Sequence, residues 1–128
     1  TAWNWASLSG RLADGTRIGA NLANGVNETG FTENAVWVNG HLHPLGPVHF
    51  EFDRSDRRKP WRVRTECGRL DLHFTAVGER SEKLDLFLLA SNFTQLTGCF
   101  TGTFTLEDGR RLDLELIPGF CEDHYAKW

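Results

Sequence analysis

Methionine is absent from this chain, tyrosine occurs once, and only three cysteines and four prolines appear among its 128 residues. Cys67, Cys99 and Cys121 leave at least one thiol unpaired whatever bridges form, and none stands in a C-x-x-C spacing, which argues against a disulfide-framed scaffold. A reducing compartment is the simpler expectation, and with no charged and hydrophobic leader in view it points to a cytoplasmic location. No apolar run approaches the roughly 20 residues of a membrane helix, so no membrane span is expected. Clustered positive charge is missing as well. The formal net charge is -3, and without a basic stripe there is no electrostatic footprint for nucleic acid. The one basic run, Arg54, Arg57, Arg58 and Lys59, is interrupted by Asp53 and Asp56 and reads as a solvated loop. There is no G-x-x-x-x-G-K-[ST], no G-x-G-x-x-G after a strand and no G-x-S-x-G, and no cofactor is expected. The missing methionine and a strand-like run already under way at Trp3 suggest one β domain over residues 1–128 that forms the C-terminal part of a longer protein. Its N-terminal half is then an expected partner.

What the chain does have is apolar mass and a short period. Hydrophobic residues make up 40% of it, with five Trp and nine Phe, enough for the core of one domain. Val48, Phe50 and Phe52 alternate with polar neighbours, as do Leu70, Leu72 and Phe74, and again Leu112, Leu114 and Leu116. Such strands have one buried and one wet face. Asp14-Gly15, Asn39-Gly40 and Asp108-Gly109 stand between alternating runs and predict hairpins with type I′ turns. Cys67-Gly68 suggests a fourth. The fold class is therefore all-β, an antiparallel meander forming a barrel or a sandwich. Residues 23–32, 54–60 and 78–83 read as loops. The run from Lys83 to Ala90 fits a short helix or a strand buried on both faces, and periodicity does not separate the two.

Several residues could carry chemistry. Trp3 and Trp5 share one parity of the first strand and Asn4, Ala6 and Leu8 the other; paired Trp side chains can stack a ligand, but in a small β domain they more often close a core. Glu33-Asn34 opens the strand that runs through Trp37, and Glu122-Asp123-His124 follows Pro118-Gly119. A carboxylate and an imidazole that converge in a dry pocket can act as general acid and base, although spacing alone does not bring them together. His41-x-His43, with His49 nearby, could ligate zinc given a third ligand; polar residues near a hairpin tip are the plainer reading, and no metal site is assigned.

Taken in order, Trp3-Asn4-Trp5-Ala6-Ser7, Gly19-Ala20-Asn21-Leu22, residues 32–40, Asn92-Phe93-Thr94-Gln95-Leu96-Thr97-Gly98 and residues 119–128 resemble the family named domain of unknown function 2804, over nearly the whole chain. More remotely, that family is similar to lipocalin-like proteins that include carotenoid hydratases. The resemblance implies a lipocalin-like barrel and a polar cluster of Asn4, Trp5, Glu33, Asn34, Gln95, Glu122 and His124, without an established activity. On it rests the expectation of a site for a hydrophobic small molecule, with Trp3, Trp5 and Trp37 giving contact area, Glu33, Asn34, Gln95 and Glu122 giving orientation, and Asn4 counted among the binding residues. Two alternatives stand beside it. One is a hydratase or isomerase using Glu33, Glu122 and His124 as catalytic groups, and the other is a structural module that packs against an N-terminal half. The C-terminal run, polar yet aromatic, is expected to lie across the sheet or barrel mouth, with Trp128 near Trp3 or Trp5 and Glu122 near Asn34.

Overall fold

Alternating runs and glycine turns become nine strands in the computed structural model: β1 (Ala2–Arg11), β2 (Arg17–Asn24), β3 (Ala35–Val38), β4 (His41–Pro44), β5 (Val48–Glu51), β6 (Trp61–Thr65), β7 (Leu70–Leu86), β8 (Leu89–Thr105) and β9 (Arg111–Lys127). The structure describes the backbone of residues 2–24, 34–86 and 89–127 and the side chains of 3–24, 34–77 and 94–124. None of the described residues is helical. Of the run from Lys83 to Ala90, residues 83–86 form the end of β7 and residues 89–90 the start of β8, and residues 78–83, expected as a loop, lie inside β7.

The hairpins fall where the turn residues place them, but only one turn has the expected geometry. At Asn39-Gly40 both central residues have positive φ, 49° and 84°, as a type I′ turn requires. At the other three turns only the glycine does, namely Gly15, Gly68 and Gly109. In two of them the strands close one residue further out, through Leu12 N–H to Thr16 O and Leu106 N–H to Arg110 O. These are three-residue loops with a left-handed glycine, so Asp14 and Asp108 need no positive φ, and their carboxylates instead accept from the backbone N–H of Thr16 and Arg110.

The sheet order is β4-β3-β2-β1-β9-β8-β7-β6-β5, so the two terminal strands lie side by side in its middle. Every pairing is antiparallel. From β4 to β5 through the sheet there are eight such reversals (nine strands less one), an even number, so β4 and β5 run in the same direction. They are also consecutive, joined only through Leu45, Gly46 and Pro47. The two edges are thus one kinked strand that pairs first with β3 and then with β6, and the sheet is curled into a half-barrel. The kink is held by Leu45 N–H donating to Asn34 O and by Asn34 Nδ2 donating to Gly46 O.

The inner face is filled by side chains. Leu8, Leu22, Val36, Val48, Trp61, Val63, Leu70, Leu72, Phe74, Leu96, Phe100, Phe104 and Ile117 are all buried there, as is usual for small barrels. On β1 this face takes Asn4, Ala6 and Leu8. Trp3 and Trp5 point outward, against the expectation that they close the core, because the space opposite β1 is already occupied by the large rings of β6 to β8. The C-terminal run does not cross the mouth either. It is the end of β9, paired residue for residue with β1 and β8, with Cys121, Glu122 and Asp123 buried.

One end of the half-barrel is tied by Glu107 in the β8–β9 turn. It accepts from Arg69 Nη2 at 2.5 Å and pairs with His43 Nδ1 of the edge strand β4 at 2.9 Å. The backbone N–H of Glu107 itself, and after it the bonds from Arg69 and His43, hold the Glu107 carboxyl down at about 2, against a usual 4.5. A depressed carboxylate contributes stability above its unfolded value, and that stability disappears as pH falls through the folded one. Wild type and Glu107→Gln should therefore differ in urea midpoint at pH 6, draw together between about pH 4.5 and 2 and converge only below about pH 2, while equal midpoints throughout would show the tie to be inert.

Candidate functional site

Alternation on β9 sends consecutive residues to opposite faces, and this separates two carboxylates that adjoin in sequence. Cys121 and Asp123 face inward, opposite Ala6 and Asn4 of β1, while Glu122 and His124 face outward, opposite Trp5 and Trp3. On the other flank Gln95 of β8 is the partner of Glu122. The outer face of the terminal strands therefore collects Trp3, Trp5, Gln95, Glu122 and His124.

Glu122 is only 6% exposed although it stands on the face that the core does not use. Its Oε2 accepts from Gln95 Nε2 at 2.9 Å and its Oε1 lies 2.7 Å from His124 Nε2. The imidazole is stacked on the Trp3 indole, with centroids 4.8 Å apart and planes within 10°. Trp5 donates from Nε1 to Asn21 Oδ1 at 2.6 Å and sets its edge on Phe120. A carboxylate with both oxygens engaged is fixed in place, and a carboxylate bonded to one imidazole nitrogen sets the tautomer and plane of the ring. Such a pair can orient a base, stabilise an imidazolium and move a proton. His124 is its more accessible member, with a side chain 21% exposed against 8% for Glu122.

The neighbouring thiol has no part in this. Burial, and after it the charge of Glu122, pushes Cys121 well up, so it stays a protonated core residue rather than a nucleophile. Cys67, Cys99 and Cys121 are free thiols.

The other expected residues stand elsewhere. Asn4 faces inward and its Nδ2 donates to Asp123 Oδ1 at 3.0 Å. Asn34 is a buried strut whose Oδ1 accepts from Ala23 N–H and whose Nδ2 donates to Gly46 O, so it does not meet Glu122. Trp37 is half-exposed on β3, opposite Gly19 and Leu42. Glu33 and Trp128 lie outside the described residues. His43 is engaged with Glu107, and among the described residues no three His, Cys, Asp or Glu side chains are grouped to hold a metal.

Sequence reasoning did not find the role of Asp123. It is 4% exposed and accepts from Arg57 Nε at 2.6 Å, with Arg54 Nη1 at 3.7 Å. Both arginines belong to the basic run read as a solvated loop. The run is a strap between β5 and β6 that reaches β9 on the far side of the sheet. Nothing in the local spacing announces a partner 66 residues away.

The family model described as Domain of unknown function (DUF2804) matches the chain over residues 1–128. No curated protein and no solved structure matches it.

Proposed function

Since the chain belongs to the family of domain of unknown function 2804, whose description assigns no activity, its function must come from its own residues, and we propose that it is a lipocalin-like domain binding a hydrophobic small molecule. The site is the outer face of β1, β8 and β9, where Trp3 and Trp5 give apolar contact and the Glu122–His124 pair and Gln95 give orientation. One observation carries this reading: a carboxylate nine-tenths buried on a face the core leaves alone, fixed by the Gln95 amide and an aromatic-stacked imidazole. Burying a carboxylate there costs folding free energy unless it is hydrogen-bonded. The free thiols suit a reducing, cytoplasmic setting.

A second reading is favoured by the 2.7 Å bond between Glu122 and His124. It is a hydratase or isomerase in which His124 exchanges a proton with an alkene or carbonyl substrate while Glu122 holds the ring and stabilises its charged form. The same face could instead seat an N-terminal half of a longer protein, as a structural module.

Calorimetric titration of a panel of fatty acids, retinoids and terpenoids into wild type and Glu122→Gln tests the first reading. The amide keeps the shape but turns one acceptor into a donor facing Gln95 Nε2 or His124 Nε2, so affinity should fall about tenfold, the effect of losing one charge-assisted hydrogen bond, and the melting temperature should drop by a few degrees with the fold intact. Binding by neither protein, or equal binding by both, would remove Glu122 from the site.

A further inference from the structure

The geometry points to Arg57, acting through Asp123 and Asn4 on the inner face, as the residue that positions the Glu122–His124 pair on the outer face. The inference rests on that pair being the site, and it adds a device that the site itself does not contain.

Trp3-Asn4-Trp5 of β1 and Glu122-Asp123-His124 of β9 are in register, Trp3 with His124, Asn4 with Asp123 and Trp5 with Glu122. The outward pairs form the site and the inward pair forms a clamp. Asn4 Nδ2 reaches both halves, lying 3.0 Å from Asp123 Oδ1 and 3.5 Å from the backbone oxygen of Glu122. β9 is paired on both flanks, with β1 and with β8, and Asp123 gives it a tie to a third element. The tie comes from the strap. Arg57 is held at two points, its Nε on Asp123 Oδ2 at 2.6 Å and its backbone oxygen by Trp61 Nε1 at 2.7 Å, and Trp61 is buried in the core.

Charges within the strap single out these two arginines. Lys59 pairs with Asp53 and Arg58 with Asp56, which leaves Arg54 and Arg57 both turned towards Asp123. Asp123 shares one backbone with Glu122 and His124, and alternation puts it on the opposite face of the same strand. Losing the Arg57 bond lets β9 shift locally at Asp123, and Glu122 and His124 move off Gln95 and Trp3.

The test is the tautomer of His124, read from the ring nitrogen shifts of the whole labelled chain in the absence of any ligand. With Nε2 donating to Glu122 Oε1, wild type should hold mostly the Nε2–H form. Arg57→Gln should raise the other tautomer about threefold or more, as expected when a coupled network is broken, while Arg58→Gln should leave the ratio alone. A folded Arg57→Gln protein with the wild-type ratio overturns the proposal. If that variant does not fold, Arg57→Lys, which keeps the charge but not the Nε donor, gives the same comparison, and an unchanged ratio there overturns it. An inert ligand panel with a shifted ratio would sink the binding site and spare the clamp.

Discussion

Gly98→Ala is expected to destabilise the fold by about 3 kcal/mol or more, at the upper end of what overpacking costs. A Cβ built on Gly98 would lie 2.1 Å from Thr75 O, and one built on its cross-strand partner Gly119 would lie 2.2 Å from Ser7 O. Both obstacles are backbone atoms of neighbouring strands, so no side-chain rotation relieves them. The register between β7 and β8 also shifts at Ala76/Gly78, directly beside Gly98, which marks this level as the place where the long strands bend. Urea denaturation should show the loss. Gly46→Ala is the control, because its added methyl meets nothing within 4 Å and should change stability by no more than about 0.5 kcal/mol. If the two variants melted alike, the bend would not depend on glycine.

Trp61→Ala should cost about 4 kcal/mol, within the range for removing a large buried aromatic. Trp61 is 1% exposed. Its ring stacks on Phe52 at 4.0 Å, meets Phe50 and Phe74 edge-on, and carries the N–H that holds Arg57 O. With total stabilities of roughly 5–15 kcal/mol, that loss brings the domain close to unfolding. Trp61→Phe keeps most of the apolar contact and loses the hydrogen bond, so about 1 kcal/mol should go, and hydrogen exchange should rise in residues 52–60 while the strand amides stay protected. Unchanged exchange in the strap would show that Trp61 anchors the core alone.

The strands were legible because the period of two is almost unbroken in β5, β7 and the first half of β9. Hairpin positions were legible from Asn-Gly and Asp-Gly pairs, but turn type was not, since an aspartate that bonds the backbone two residues on can forgo positive φ. The first strand misled in its facing. Its parities hold Trp3 and Trp5 against Asn4, Ala6 and Leu8, and the choice between them is made by Phe74, Phe100, Phe104 and Trp61, which fill the interior and leave β1 room for small side chains. The C-terminal run misled for a related reason. Its polar residues look solvent-facing, but Glu122 and Asp123 are buried on opposite faces because each finds its own partners, Gln95 and His124 for the one and Asn4 and Arg57 for the other. The spacing of Glu122 and His124 does place both on one face of any strand, and that was the usable signal. Arg57 gave none.

The central claim is that ligand is met on the outer face of β1, β8 and β9 and not inside the half-barrel. Following the indole and side-chain amide resonances of the labelled chain during titration with the fatty acid, retinoid and terpenoid panel tests it most directly. The account predicts shifts at the Trp3 and Trp5 indoles and the Gln95 amide, and none at Trp61. Perturbation of Trp61 with Trp3 and Trp5 unmoved, or no perturbation by any member of the panel, would contradict it.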